Sequence, residues 1–257
     1  MEYHLSIPLS RIEEYIGFAR ENGFQPEVRM TDVDHMMGLK TDDLKRLGEI
    51  FEKNRFRPFT HGPFFGLDVA SIDRNISEYS IRALIHGLEI TRGLGGNVMV
   101  MHTGYLPQFS RGGRRHWFRN WAERMPVVLE RANNLGVTLA LENTWDDRPE
   151  VLLHLADLLP GDSLRFCIDT GHVNAFSRLH ISRWWNALEG RIVALHLHDN
   201  DGISDDHLVP GRGTFDFSAL AKLMKESKDT PLLDLEVDIP NAVLAREVLD
   251  GVFNIGR

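Results

Sequence analysis

The sequence predicts an α/β fold, specifically one single-domain (β/α)8 barrel over residues 1–257. Three observations predict it. Apolar strand-like runs alternate with helix-like segments from end to end, the pattern of a parallel sheet with helical crossovers. The count is eight such strands in 257 residues, the length expected of one closed barrel. Six consecutive strands each end in His, Asp or Glu, and barrels collect functional residues at the C-terminal ends of strands. The structural alternative is a doubly wound open sheet. That fold usually carries a Gly-rich turn after its first strand, and the turn Pro8, Leu9, Ser10 has no glycine.

The elements follow in order. Residues 3–8 read as a first strand and 12–22 as a helix stopped by Gly23, since a left-handed glycine ends helices cheaply. Residues 26–30 form strand two. Thr41 is the expected N-cap of the next helix, with Asp42 and Asp43 in its first turn and Leu44, Leu47, Ile50 and Phe51 as its apolar stripe. Strand three is 57–61. A long helix over 78–94 stops at Gly95 and Gly96. Strand four is 97–102, followed by a helix at 117–135. Strand five is 137–142, with a helix at 149–159, and strand six is 165–169. A sixth helix carries Trp184 and Trp185, as core or as a contact in a homo-oligomer. Strand seven is 192–198, a helix follows at 217–227, strand eight is 232–236 and the last helix is 241–253.

Bulk properties narrow the function. Hydrophobic residues make up 42% and charged residues 26% of the chain, as in globular proteins. No apolar run approaches the roughly 18 residues of a membrane span, and the N-terminus lacks the basic and apolar regions of a signal peptide. Cys167 is the single cysteine, which excludes an intrachain disulfide and fits a reducing cytoplasm. The net charge of −8 disfavours general binding to nucleic acid or an anionic membrane. No linker or shift in composition marks a domain boundary.

The chemistry gathers at the strand ends. They carry His61 in FTHGPFF, His102 in VMVMHTGY, Glu142 in LALENTW, Asp169 and His172 in CIDTGH, His196 in ALHLHDN with Asp205 and His207 beyond, and Glu236 in LLDLEVD. Period-two parity puts Val98, Val100 and His102 on one face, and Thr138, Ala140 and Glu142 on another. His196 and His198 share a face by the same rule. Burying this many ionisable groups is costly without a cation, and mixed N/O donors suit a divalent metal. Asp234 shares a face with Glu236 and points inward, either paired with a cation or on an irregular strand. Glu27 in strand two points inward as a polar contact to substrate. Buried Cys167 reads as structural.

With these residues in view, the chain resembles the xylose-isomerase-like barrel superfamily, which holds sugar isomerases and epimerases beside apurinic-site endonucleases of the endonuclease IV type. HGPF at His61, H-x-G at His102, LEN at Glu142, CIDTGH at Asp169 and His172, HLHDN at His196, D-x-H with PGRG from Asp205 to Gly213, and LEV at Glu236 carry the resemblance. The epimerase branch implies one divalent ion per chain (Mn²⁺, Zn²⁺, Mg²⁺ or Co²⁺) held by Glu142, Asp169, His196 and Glu236. It implies Glu142 and Glu236 as the acid/base pair working through a metal-stabilised enediolate, with His172 on a sugar hydroxyl. The endonuclease branch implies up to three zinc ions. These use His61 and His102, Glu142 as a bridge, then Asp169, His196 and Glu236, and finally His172, Asp205 and His207.

HLHDND, the short gap from His196 to Asp205, and LENTWDD depart from the endonuclease pattern. The expected function is therefore a metal-dependent sugar or sugar-phosphate isomerase or epimerase, with a zinc phosphodiesterase acting on abasic DNA as the alternative and a metal-free scaffold as a third reading. Asp205 and His207, with His172, form either a third metal site or a hydrogen-bonding wall. His198 and Asp199 are expected to sit behind the ligands. The stretch SRGGRRHWFRNW, with Arg111, Arg114, Arg115 and Arg119, either binds a substrate phosphate through Arg115, closes as a lid, or is a solvated helix start. Trp145 either walls the sugar ring or packs as an ordinary tryptophan.

Overall fold

The computed structural model describes residues 1–159, 161 and 163–254. Its strands are β1 His4–Pro8, β2 Gln25–Arg29, β3 Phe59–His61, β4 Val98–His102, β5 Thr138–Glu142, β6 Arg165–Asp169, β7 Ile192–Leu197 and β8 Leu232–Leu235. All pair in parallel, in chain order, and β1 closes on β8 to complete a (β/α)8 barrel. The seam is short: His4 lies opposite Asp234 and Leu5 opposite Leu235.

The helices are α1 Ile12–Asn22, α2 Val33–Gly38, α3 Thr41–Lys53, α4 Arg74–Gly93, α5 Arg111–Leu135, α6 Glu150–Asp157, α7 Thr170–Phe176, α8 Ile181–Leu188, α9 Phe217–Glu226 and α10 Ala242–Asn254. Local chemistry sets their ends. Gly23, at φ 71°, turns its N–H back onto the carbonyls of Ala19 and Arg20 and stops α1. The Asp73 carboxylate accepts from the Asn75 N–H at 2.8 Å and starts α4. Ser110 Oγ accepts from the Gly113 N–H and starts α5 earlier than the apolar stripe suggests. Thr41 is not the cap of α3. Lys40 takes that place, because Asp43 accepts from the Lys40 N–H at 3.0 Å and closes the turn one residue sooner. Among the described residues no helix is long and apolar enough to cross a membrane.

Parity divides the strands into two surfaces. Leu5, Ile7, Val28, Met99, Leu139 and Leu195 face outward and are buried under the helices, each worth about 2 kcal/mol of apolar burial. Phe59, Val100, Ala140, Cys167 and Ala194 fill the interior instead. Three of those five are small, which leaves room for polar side chains in the layer above.

Candidate metal centre

Strand register assembles the site. His102 lies level with Glu142 across β4 and β5, and Asp169 level with His196 across β6 and β7. Their inward parity brings the side chains of neighbouring strands onto one carboxylate. Glu142 Oε2 lies 2.9 Å from His61 Nε2 and 3.3 Å from His102 Nε2. Glu142 Oε1 lies 3.3 Å from His172 Nδ1 and 3.4 Å from His196 Nδ1. His196 Nδ1 is also 3.8 Å from Asp169 Oδ2 and 3.7 Å from Glu236 Oε1. One imidazole nitrogen therefore stands among three carboxylates from β5, β6 and the end of β8.

A second tier rises above it. Asp169 caps α7, accepting from the His172 backbone N–H at 2.6 Å, and the His172 ring is held beside Glu142 by Nδ1 against the Asn143 carbonyl at 2.9 Å. His198 Nε2 lies 3.0 Å from Asp169 Oδ2 and 4.0 Å from Glu236 Oε2. Its ring stacks on His207 at 4.0 Å between centroids. Asp205 Oδ2 bridges His172 Nε2 at 3.3 Å and His207 Nε2 at 3.2 Å. His207 adopts φ 50°, a left-handed conformation uncommon for non-glycine residues but one that His tolerates. It is held there by donating from Nδ1 to the Glu236 carbonyl at 2.7 Å.

The electrostatics are those of a closely balanced cluster. Burial alone would raise Glu142, but the imidazoles of His102 and His196 hold it well below the usual carboxylate range. Burial likewise opposes the charge on Glu27, and His196 overrides it, leaving that carboxyl at about 2. Burial disfavours protonated His207, yet Asp205 and Glu236 push it up to about 9. Asp234 behaves oppositely. It is fully buried, and neither of its carboxylate oxygens meets a hydrogen-bond partner. Burial first and the charge of Glu27 second raise it well above its ordinary value.

Glu142, Glu236, His61, His102, His172, Asp205, His207 and Trp145 line one cavity of about 720 Å³, whereas Asp169 and His196 are fully buried and do not line it. Trp145 is half exposed at its edge, with its ring 4.5 Å from that of Phe176. Arg115 is not brought there. It is exposed on α5, in a separate hollow with Arg111, Arg114 and Arg119. Two participants lie outside the predicted ligand set. His198 reaches the carboxylates directly, and its shared parity with His196 is the signal for it. Glu27 meets His196 Nε2 at 3.0 Å rather than the substrate space.

The residues present fit a divalent cation. Glu142, Asp169 and His196 bring ligand atoms within 4.8 Å of one another, as do Asp169, His198 and Glu236. The Nδ1 atom of His196, which stands among Glu142, Asp169 and Glu236, is buried without a hydrogen-bond partner, and such an orphaned polar atom asks for an explanation.

The sequence profile of the xylose isomerase-like TIM barrel family matches residues 17–252. The chain belongs to that family. Among solved members of this fold, the TTHB071 protein of Thermus thermophilus, obtained by soaking with ZnCl2, is 30% identical with a TM-score of 0.84, covering 100% of both chains. A D-tagatose 3-epimerase-like protein is 22% identical with a TM-score of 0.86, covering 99% of this chain and 98% of the other. Fructoselysine 3-epimerase of Escherichia coli O157:H7 is 23% identical over 223 residues, 82% of this chain and 74% of that protein.

Proposed function

We propose that the protein is a divalent-metal-dependent sugar isomerase or epimerase of the cytoplasm, with a ketose-type substrate. One observation carries the reading: Glu142 and Glu236 both face the cavity, and His196 Nδ1 stands between them at 3.4 Å and 3.7 Å. A cation would be held by Glu142, Asp169, His196 and Glu236, with His198 as a further nitrogen donor. Bound there, it supplies Lewis acidity to a substrate carbonyl.

The rest of the chemistry belongs to the side chains. Glu142 and Glu236 come from β5 and β8, on different sides of the ring. One carboxylate takes the proton from the carbon beside the carbonyl, and the electron pair moves into an enediolate. The other carboxylic acid returns a proton to that carbon from the opposite face, inverting it. His172 is held over Glu142 and donates to a substrate hydroxyl. Trp145 covers the sugar's C–H face.

Glu142→Gln and Glu236→Gln should each lower kcat about 10²–10⁴-fold with circular dichroism unchanged. Turnover that survives both substitutions would remove the mechanism. The zinc phosphodiesterase reading draws on two further groups with ligand atoms within 4.8 Å: His61, His102 and Glu142, and His198, Asp205 and His207. Metal analysis separates the two readings. One ion per chain with sugar epimerisation supports the first, and three zinc ions with nicking of abasic DNA supports the second.

A further inference from the structure

The cavity above Glu142 has two unlike halves. One is polar, with Glu142, His172, Asp205, His207 and Glu236. The other lies under the loops after β3 and β4 and presents Phe64, Phe65, Leu67, Tyr105 and Leu106. An aromatic series joins them: the His102 ring lies 4.2 Å from Phe64, and Phe64 lies 4.3 Å from Phe65. At the outer end Phe65 is 65% exposed and Leu106 is 44% exposed, and Trp145 faces the same opening at 50%. Isolated surface apolar residues need no explanation, but several around the mouth of one cavity mark a ligand face. About 720 Å³ also lies within the range of sites for ligands larger than one sugar ring. A monosaccharide seated between Glu142 and Glu236 satisfies the polar half and leaves the aromatic half uncovered.

We propose that the Phe64–Phe65–Leu106 half is a subsite for an apolar, flat substituent carried by the sugar. The substrate class is then a ketose bearing an aryl or comparable apolar group rather than a free ketose. This inference rests on the epimerase reading. The ring of the substituent lies along Phe64 and Phe65, where offset aromatic contact and removal of apolar surface from water both favour it. Tyr105 backs this wall: its ring stacks on Phe118 at 5.5 Å, and Arg114 lies over it at 5.9 Å.

The test compares D-fructose with its 1-O-benzyl and 6-O-benzyl ethers on the metal-loaded protein, following solvent deuterium incorporation by NMR. One benzyl ether is expected to exceed the parent sugar at least tenfold in kcat/KM, the scale of burying one large apolar group. Phe65→Ser and Leu106→Ser, both at exposed positions, should remove that advantage and leave the parent sugar unchanged. Equal rates for parent and ethers would overturn the subsite. So would variants that slow all sugars alike while sedimentation shows loss of a dimer, since the rim would then be covered by a second copy. Absence of exchange with every sugar would instead remove the epimerase reading on which the subsite rests.

Discussion

Which nitrogen of His196 faces the carboxylates is decided by a residue outside the cavity. Glu27 is ionised and accepts from His196 Nε2 at 3.0 Å, while its other oxygen accepts from Ser6 Oγ at 2.9 Å. Nε2 is thereby given its acceptor, and Nδ1 is turned towards Glu142, Asp169 and Glu236. Carboxylates behind ligating histidines typically tune metal affinity by 10–100-fold. Glu27→Leu should weaken zinc binding by about that factor in a chelator competition, and Glu27→Gln, which can still accept the hydrogen bond, by less. Wild-type affinity in both variants would show that His196 is oriented by packing alone. The inward face of Glu27 was legible from strand parity, but its partner was not. Glu27 and His196 are 169 residues apart, and only barrel closure determines which inward side chains meet. The same limit applies to Arg115. Its charge was visible in the sequence, whereas its seat on the outer side of α5 depends on where that helix begins.

Short α7 shows how an element serves the site beyond carrying residues. Asp169 starts it, His172 projects from its first turn, and Gly171 lies flat against the His198 ring. A Cβ at Gly171 would overlap that ring. Gly171→Ala should therefore leave the barrel folded but displace His198, costing about 1–3 kcal/mol in urea denaturation together with a loss of metal affinity. An unchanged metal affinity would argue that His198 contributes nothing to the centre. The strands and long helices were legible because each carries several repeats of its apolar period; the bounds of α1 and β6 agree with the sequence reading residue for residue. The helices α2 and α7, of six and seven residues, are too short to show a stripe, so only the cap chemistry of Asp32 and Asp169 could have announced them.

For the molecule as a whole, acid sensitivity is built into the barrel seam. His4 is buried on β1, opposite Asp234 and 4.8 Å from the ring of Phe59. Burial lowers its pKa from 6.5 to about 4. The folded state thus holds His4 neutral where the unfolded chain takes up a proton. Its contribution is whole above about pH 6.5 and is lost as pH falls towards 4, by up to about 3 kcal/mol. His4→Gln should lose less stability than wild type over that interval, as read from urea midpoints at each pH; parallel losses would assign the acid sensitivity to other groups. The closed ring has a further consequence for biosynthesis. Glu142, Asp169, His196, His198 and Glu236 all belong to β5–β8 and their ends, so a ribosome delivers four whole strand–helix units before the first of them. Any help that a cation gives to folding by mass action arrives only after β7, which completes the set of Glu142, Asp169 and His196, has emerged. Until then the nascent first half depends on its own apolar contacts, or on a chaperone, to avoid aggregation.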